Sequence, residues 1–180
     1  MNESRAGVIT FSADVEHSIK LRDHFDITSF SGAVDRIPHM AATTRIDKAL
    51  RLAQKEMFSL PNGARPGIPK ILILLTDGTQ TKDADTEDPS VIANEIRKKG
   101  VKTLVIGVGK GVNPFELVKL VESDRNVFSV SNFDELISNT FVELLTKISC
   151  EVGKYYVMHR VFQLEGKGVD AENMLQLELT

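Results

Sequence analysis

The chain has 180 residues, 42% apolar and 26% charged, with a formal net charge of −3. That length suits one domain of ordinary size with a tail and buries roughly two thirds or more of its unfolded surface. The weak negative charge argues against a nucleic-acid footprint, and with no run of about 18 apolar residues no membrane span is expected. The opening MNESRAGVITF has no basic segment leading into an apolar one and no small-residue cleavage site, so no signal peptide is expected in this chain. Its one cysteine, Cys150, permits no internal disulfide.

Val8 to Phe11 reads as a short buried strand, and His17 to Leu21 as a weaker, edge-like one. Ser29 to Met40 has a helical pattern that breaks at Pro38. A clear helix is expected from Thr44, because Ile46, Ala49, Leu50, Ala53 and Met57 follow 3-4-3-4 spacing. It ends before the loop chemistry of Leu60-Pro61-Asn62-Gly63. Ile71 to Leu75 then form an unbroken apolar run, the mark of a strand buried on both faces of a parallel sheet. After the polar stretch Thr79 to Asp88, Asp88 caps a helix with Pro89 in its first turn, and Lys98-Lys99-Gly100 closes it. Val101 to Val108 is a second buried strand. Asn113-Pro114 opens a short helix to about Val121, and Asn126 to Val130 is a third strand. Ser131 and Asp134 resemble a capping box for a helix running to about Ile148.

Strand and helix thus alternate, which predicts an α/β fold: a doubly wound, Rossmann-like and mainly parallel sheet with helices on both faces. Residues 151–180 break the rhythm. Tyr155 to Leu164 could form a strand, and Gly166-Lys167-Gly168 a turn; the segment is read as a C-terminal tail or linker outside a main domain over 5–150.

Asp77 is the first candidate for function, because a carboxylate at the carboxyl end of a central strand occupies the place where open α/β sheets bind ligands. The plain alternative is a turn residue, since Asp-Gly follows many strands. Thr44 reads as a helix N-cap on its own terms. Asp83, Asp85, Glu87 and Asp88 form an acidic loop beside Asp77, expected to be a solvated surface. Gly107, Gly109 and Gly111 hint at a phosphate loop, but the spacing fits neither the P-loop nor the dinucleotide pattern. His17, His24, His39 and His159 show no metal spacing, and no GxSxG elbow supports a hydrolase.

Taken in order, RAGVITFS, AATTRIDKAL (41–50), ILILLTDGTQTKD, GVKTLVIGVG (100–109) and VFSVSNFDEL (127–136) resemble the second strand, the GGTTNTGKAL segment, and the fourth, fifth and sixth strands of the von Willebrand factor A domain. That family includes integrin inserted domains and matrix proteins such as matrilins and collagens. The resemblance implies a magnesium site on top of the sheet, built by an Asp-x-Ser-x-Ser after the first strand, one threonine and one aspartate. Magnesium is a hard cation that takes octahedral oxygen ligands and keeps positions open for water or a partner's carboxylate. Matched residue by residue, the threonine falls on Thr44 and the aspartate on Asp77.

The departures are as specific as the match. The chain has no Asp-x-Ser-x-Ser, so three of the five motif ligands are absent; Ala41-Ala42 stand for two glycines, and Ile46 and Asp47 for a threonine and a glycine. The family's first strand and helix would precede Arg5, so the chain reads as truncated at its N-terminus, as a fragment, a splice form or an incomplete gene. In the family that first strand lies mid-sheet. Unpaired buried backbone groups cost about 1–3 kcal/mol each, against a net stability of roughly 5–15 kcal/mol. The chain is therefore expected either to be marginal or to fill the gap, by direct pairing of strands 7–12 and 70–76 or by insertion of the segment near Tyr155 to Leu164. In extracellular members a cysteine after the last helix often pairs with one before the first strand, which would leave Cys150 without its partner; an ordinary free thiol is the other reading.

The resemblance implies a non-enzymatic adhesion or protein-interaction module of an extracellular matrix or cell-surface protein, with Mg2+ binding weak or absent here. Alternatives are an α/β nucleotide-binding or enzymatic domain, or an intracellular A domain of a multiprotein assembly.

Overall fold

The computed structural model describes residues 4–38, 43–138, 141–143, 147 and 174–178. Six strands form one sheet: β1 (Arg5–Phe11), β2 (Val15–Ile19), β3 (Lys70–Thr76), β4 (Val101–Val108), β5 (Val127–Val130) and β6 (Met174–Glu178), in the order β2-β1-β6-β3-β4-β5. The β3-β4-β5 half is parallel, and β3 and β4 pair without a break from Lys70–Val101 to Thr76–Gly107. β2 returns antiparallel on β1 and sits at the sheet edge.

The apolar run of β3 is sorted between two cores because successive side chains point to opposite faces. Leu72 and Leu74 join Ile9, Phe11, Leu50, Ile92 and Ile96 on one side. Ile71, Ile73 and Leu75 join Leu104, Ile106 and Leu136 on the other. Both faces are thereby covered, as the unbroken run predicts.

The gap expected between the second and fourth family strands is filled, and by neither route anticipated. β1 and β3 do not pair with each other; β6 lies between them, antiparallel to both. Residues 174–178 therefore contribute a strand to the sheet. The physical reason is that β1 and β3 each present a buried edge whose N–H and C=O groups need partners, and MLQLE supplies them. Tyr155 to Leu164 lies outside the described residues, as does Cys150.

The helices are α1 (Ile27–Val34), α2 (Ile46–Leu52), α3 (Pro89–Lys98), α4 (Pro114–Val118) and α5 (Phe133–Leu136). α1 begins earlier than the sequence pattern suggests, because Asp26 caps it by accepting from the Ser29 N–H. α2 starts at Ile46 with Arg45 at the N-cap position and no side-chain cap bond, so Thr44 is not the cap. After Leu52 the coil widens into a π turn over Ala53–Met57, both ends of which stay buried. Asp88 caps α3 and Asn113 caps α4, each ahead of a proline, as read from the sequence. The last capping box is displaced by one residue: Asn132 accepts from the Glu135 N–H, and the Glu135 carboxylate accepts from the Ser131 N–H at 2.7 Å.

Candidate functional site: the carboxyl rim of the sheet

Four loops meet where β1, β3 and β4 end. The Arg45 N–H donates to the Ser12 carbonyl just past β1 at 3.0 Å. Thr44 is tied to the loop after β3 in both directions: its N–H donates to Thr81 Oγ1 at 3.0 Å, and its carbonyl accepts from the Thr81 N–H at 2.8 Å. Two glycines allow this convergence. A Cβ at Gly78 would stand 2.9 Å from Thr44 Oγ1, and one at Gly111 would stand 2.3 Å from the Asp77 carbonyl oxygen. Gly111 thus serves close packing over Asp77, a use its sequence context did not reveal.

The structure therefore brings Thr44 and the Asp77-Gly78 turn together on one rim, both half-buried. Thr76 fixes the turn from below, its hydroxyl donating to the Gly78 carbonyl at 3.0 Å. The oxygen set there is one hydroxyl and one carboxylate. Among the described residues no group of three or more His, Cys, Asp or Glu is arranged to hold a metal, and magnesium favours six oxygen ligands in near-ideal geometry.

Beside them lies an ion cluster that sequence reasoning missed. Arg45 is 3% exposed and Asp47 2%. Arg45 grips Asp47 with both arms of its fork, Nε to Oδ1 and Nη2 to Oδ2, each at 2.9 Å, a bidentate pairing that fixes geometry as well as charge. Nη1 reaches Asp85 at 2.9 Å and Asp83 at 3.4 Å. Asp47 also accepts from Gln80 Nε2 at 2.8 Å and from the Glu87 N–H at 3.2 Å. The acidic loop is therefore not merely a solvated surface: Asp83 and Asp85 are exposed at 52% and 67% but are pinned to a buried guanidinium. A second arginine extends the clasp, Arg51 pairing with Glu87 and with Glu95.

The electrostatics follow the geometry. The hydrogen bonds Arg45 donates to Asp47, opposed by burial, make Arg45 hold its proton more firmly than a free arginine. Burial works against ionisation of Asp47, but Arg45, Gln80 and the Glu87 N–H outweigh it and keep the carboxyl below its ordinary range. Arg45 likewise lowers Asp85, and Arg51 lowers Glu87. The sequence signal was an arginine and an aspartate two apart at the start of a helix, facing an acidic loop; only the fold shows that they meet.

Next to this clasp is an open cavity of about 450 Å³ between the loop after β3 and α4, with Gln80, Lys82, Asp83, Glu116 and Lys119 among its walls. Phe115, at 83% exposure, projects from α4. No helix among the described residues is long and apolar enough to cross a membrane.

The family profile of the von Willebrand factor type A domain matches residues 1–143. The chain is 32% identical over 164 residues to collagen alpha-6(VI) of Mus musculus, covering 90% of this chain and 7% of the collagen. It is 27% identical over 159 residues to matrilin-3 of Gallus gallus, covering 84% of this chain and 34% of the relative. It spans well under half of each. Among solved structures, proximal thread matrix protein 1 of the mussel byssus, with a zinc-occupied MIDAS motif, superposes with a TM-score of 0.69 at 31% identity, over 79% of this chain and 34% of that one. With that profile match and these relatives resting on a sheet whose parallel half and rim loops have the expected order, the chain belongs to the von Willebrand factor type A domain family.

Proposed function

We propose that this chain is a non-enzymatic protein-interaction module of an extracellular matrix or cell-surface protein, engaging partners at the carboxyl rim of its sheet with little help from a divalent cation. The observation that carries the reading is the Arg45 clasp beside Thr44 and Asp77. A buried guanidinium ties the loop after β3 to the start of α2, so protein charge helps hold the rim in shape. Matrix relatives support the class of partner. Thr44 and Asp77 supply too few ligands to compete with the hydration of magnesium. Gly111, after β4, serves packing against Asp77, which weakens the nucleotide-binding alternative.

The test measures binding of the immobilised chain to purified matrix collagens in magnesium, in manganese and in EDTA, alongside calorimetric titration with each metal. Binding unchanged by EDTA and lost in Asp85→Lys supports the proposal. Metal affinity at or below about 10 µM, the range of dedicated cation sensors, with binding abolished by EDTA, overturns its metal-independent part. Binding indifferent to every rim substitution overturns the location.

A further inference from the structure

The two ends of the sheet carry opposite charge. β1 and β3 both run antiparallel to β6, so they start at one end and finish together at the other. At the carboxyl end Arg45 faces the carboxylates of Asp47, Asp83 and Asp85, and Arg51 faces those of Glu87 and Glu95. Each arginine is outnumbered, which leaves the clasp anionic as a whole. At the amino end cations are held by neutral carbonyls. Arg5 Nη1 donates to the Gly63 carbonyl at 2.6 Å, and Lys99 Nζ to the Gln54 carbonyl at 2.8 Å. A carbonyl fixes a cation in place without cancelling its charge. The nearby acids Asp23 and Asp26 turn their carboxylates to the Lys20 and Ser29 N–H groups.

Apolar side chains complete the contrast. Gly63 gathers a projecting patch at the amino end. Its carbonyl holds Arg5, its N–H donates to the Leu60 carbonyl at 3.0 Å, and a Cβ on it would stand 2.6 Å from the Arg22 nitrogen. The Arg5 guanidinium also lies over the Phe25 ring, 5.7 Å from its centroid. Phe25 and Leu60 are 69% and 67% exposed, and Arg22 is exposed beside them. Arginine with a projecting aromatic is a composition enriched at protein interfaces. The carboxyl end offers the converse. The cavity beside the clasp measures about 450 Å³, within the roughly 300–1,000 Å³ of pockets that enclose a ligand. The buried Ile46, Leu117 and Leu120 line it. On its walls Asp83, Glu87, Asp88 and Glu116 outnumber Lys82 and Lys119, and Phe115 and Val118 flank it, exposed.

We propose that this cavity takes the Arg22, Phe25 and Leu60 patch of a second copy of the chain, so that copies associate head to tail. The inference deepens the reading of the carboxyl rim as a partner-binding end, and rests on it. Burial of Phe25 and Leu60 against Ile46, Leu117 and Leu120 supplies affinity. The opposed charges, each worth little in an exposed pair, set orientation and disfavour contact between like ends. Patch and cavity are different surfaces at opposite ends, so the contact is heterologous. Each added copy presents a fresh end, and growth does not stop at a dimer.

The experiment is sedimentation velocity of the whole chain from about 1 µM to about 1 mM, the span in which a small, transient interface shows itself. The expected result is a sedimentation coefficient that climbs past the dimer with concentration and falls back in high salt. Arg22→Glu and Glu116→Lys alter opposite ends, at positions outside the buried core. Each alone is expected to weaken association at least about tenfold by setting like charges together. Mixed in equal amounts, the two variants are expected to form a dimer that grows no further, because each supplies one intact end. A monomer at every concentration, a parent that stops at a dimer, or a mixture no more associated than either variant overturns the proposal. So does binding of dextran sulfate that Arg22→Glu abolishes in a chain that does not self-associate, which would give the amino end to a polyanion. Collagen is absent from these measurements, so their failure leaves rim binding to matrix collagens standing on its own EDTA test.

Discussion

The β3–β4 seam and the clasp around Arg45 stand a few residues apart and are held by opposite means. The seam is apolar: Ile71 to Leu75 and Leu104 to Ile106 are nearly inaccessible and pair without interruption. The clasp is ionic, with Arg45 and Asp47 as buried as the seam and neutralised only by each other and by the loop that folds over them. Burial in the first stabilises in proportion to area. Burial in the second is tolerated only while every partner is in place, because an ion pair taken out of water gains little net energy while a lone buried ion is strongly unfavourable. The lesson is that equal exposure hides unequal fragility.

The sharpest way to break the comparison is to remove one ion. Arg45→Met leaves Asp47 buried without its cation and is expected to cost about 3–5 kcal/mol in denaturant unfolding. Removing both charges in Arg45→Met/Asp47→Leu is expected to restore most of that loss, while freeing the 79–88 loop, seen as faster hydrogen exchange at Thr81 and Glu87. If the double variant is no more stable than the single one, the clasp stabilises by something other than compensated burial. In the seam, Leu104→Ala removes apolar volume only. It is expected to cost about 2–5 kcal/mol, with no rescue by any charge change and no loosening of the loop.

The same contrast explains what the sequence disclosed. The seam, the caps at Asp88 and Asn113 and the rim position of Asp77 depend on neighbours in the chain, and apolar runs or Asx-Pro steps announce them. The clasp joins Arg45 and Asp47 to residues 33 or more positions away, and no local pattern distinguishes a pinned acidic loop from a free one. The family comparison drew attention to Ile46 and Asp47 as departures from a consensus without showing that Asp47 had acquired a partner in Arg45. β6 was hidden for a different reason. MLQLE is short and not strongly strand-like, and its pairing with β1 and β3 joins it to residues far away in the chain. Tyr155 to Leu164, the tail segment with the strand-like local pattern, lies outside the described residues.

Titration separates the regions further. Asp47 has its carboxyl lowered in the folded state, so between that value and the ordinary one of about 3.9 the unfolded chain binds more protons. The stability Asp47 contributes is present above the ordinary value and is lost as pH falls through the folded one. Melting temperature is therefore expected to be flat from neutral pH down to about pH 5 and to fall below about pH 4. Arg45→Met/Asp47→Leu should show a shallower decline, and Leu104→Ala one parallel to the parent. A parallel decline in the charge-free variant would mean that acid unfolding starts elsewhere.

The smallest expected effect tests whether the clasp and the helix it leans on are separate units. Asp88 follows the loop directly, and its carboxylate accepts the Ser90 N–H at 2.9 Å to cap α3. Ser90 lowers the Asp88 carboxyl, but the group is solvent-facing, and loss of an N-cap costs typically about 1 kcal/mol. Asp88→Ala is expected to lower stability by about that amount and to leave exchange at Thr81 unchanged, since Arg45 holds the loop through Asp83 and Asp85 upstream of the cap. Asp88→Asn, which keeps the accepting oxygen, should recover nearly all of it. A loss near that of Arg45→Met, with Thr81 exchange rising in step, would show that the cap and the ion cluster form one cooperative unit, and the contrast between seam and clasp would have to be redrawn around α3.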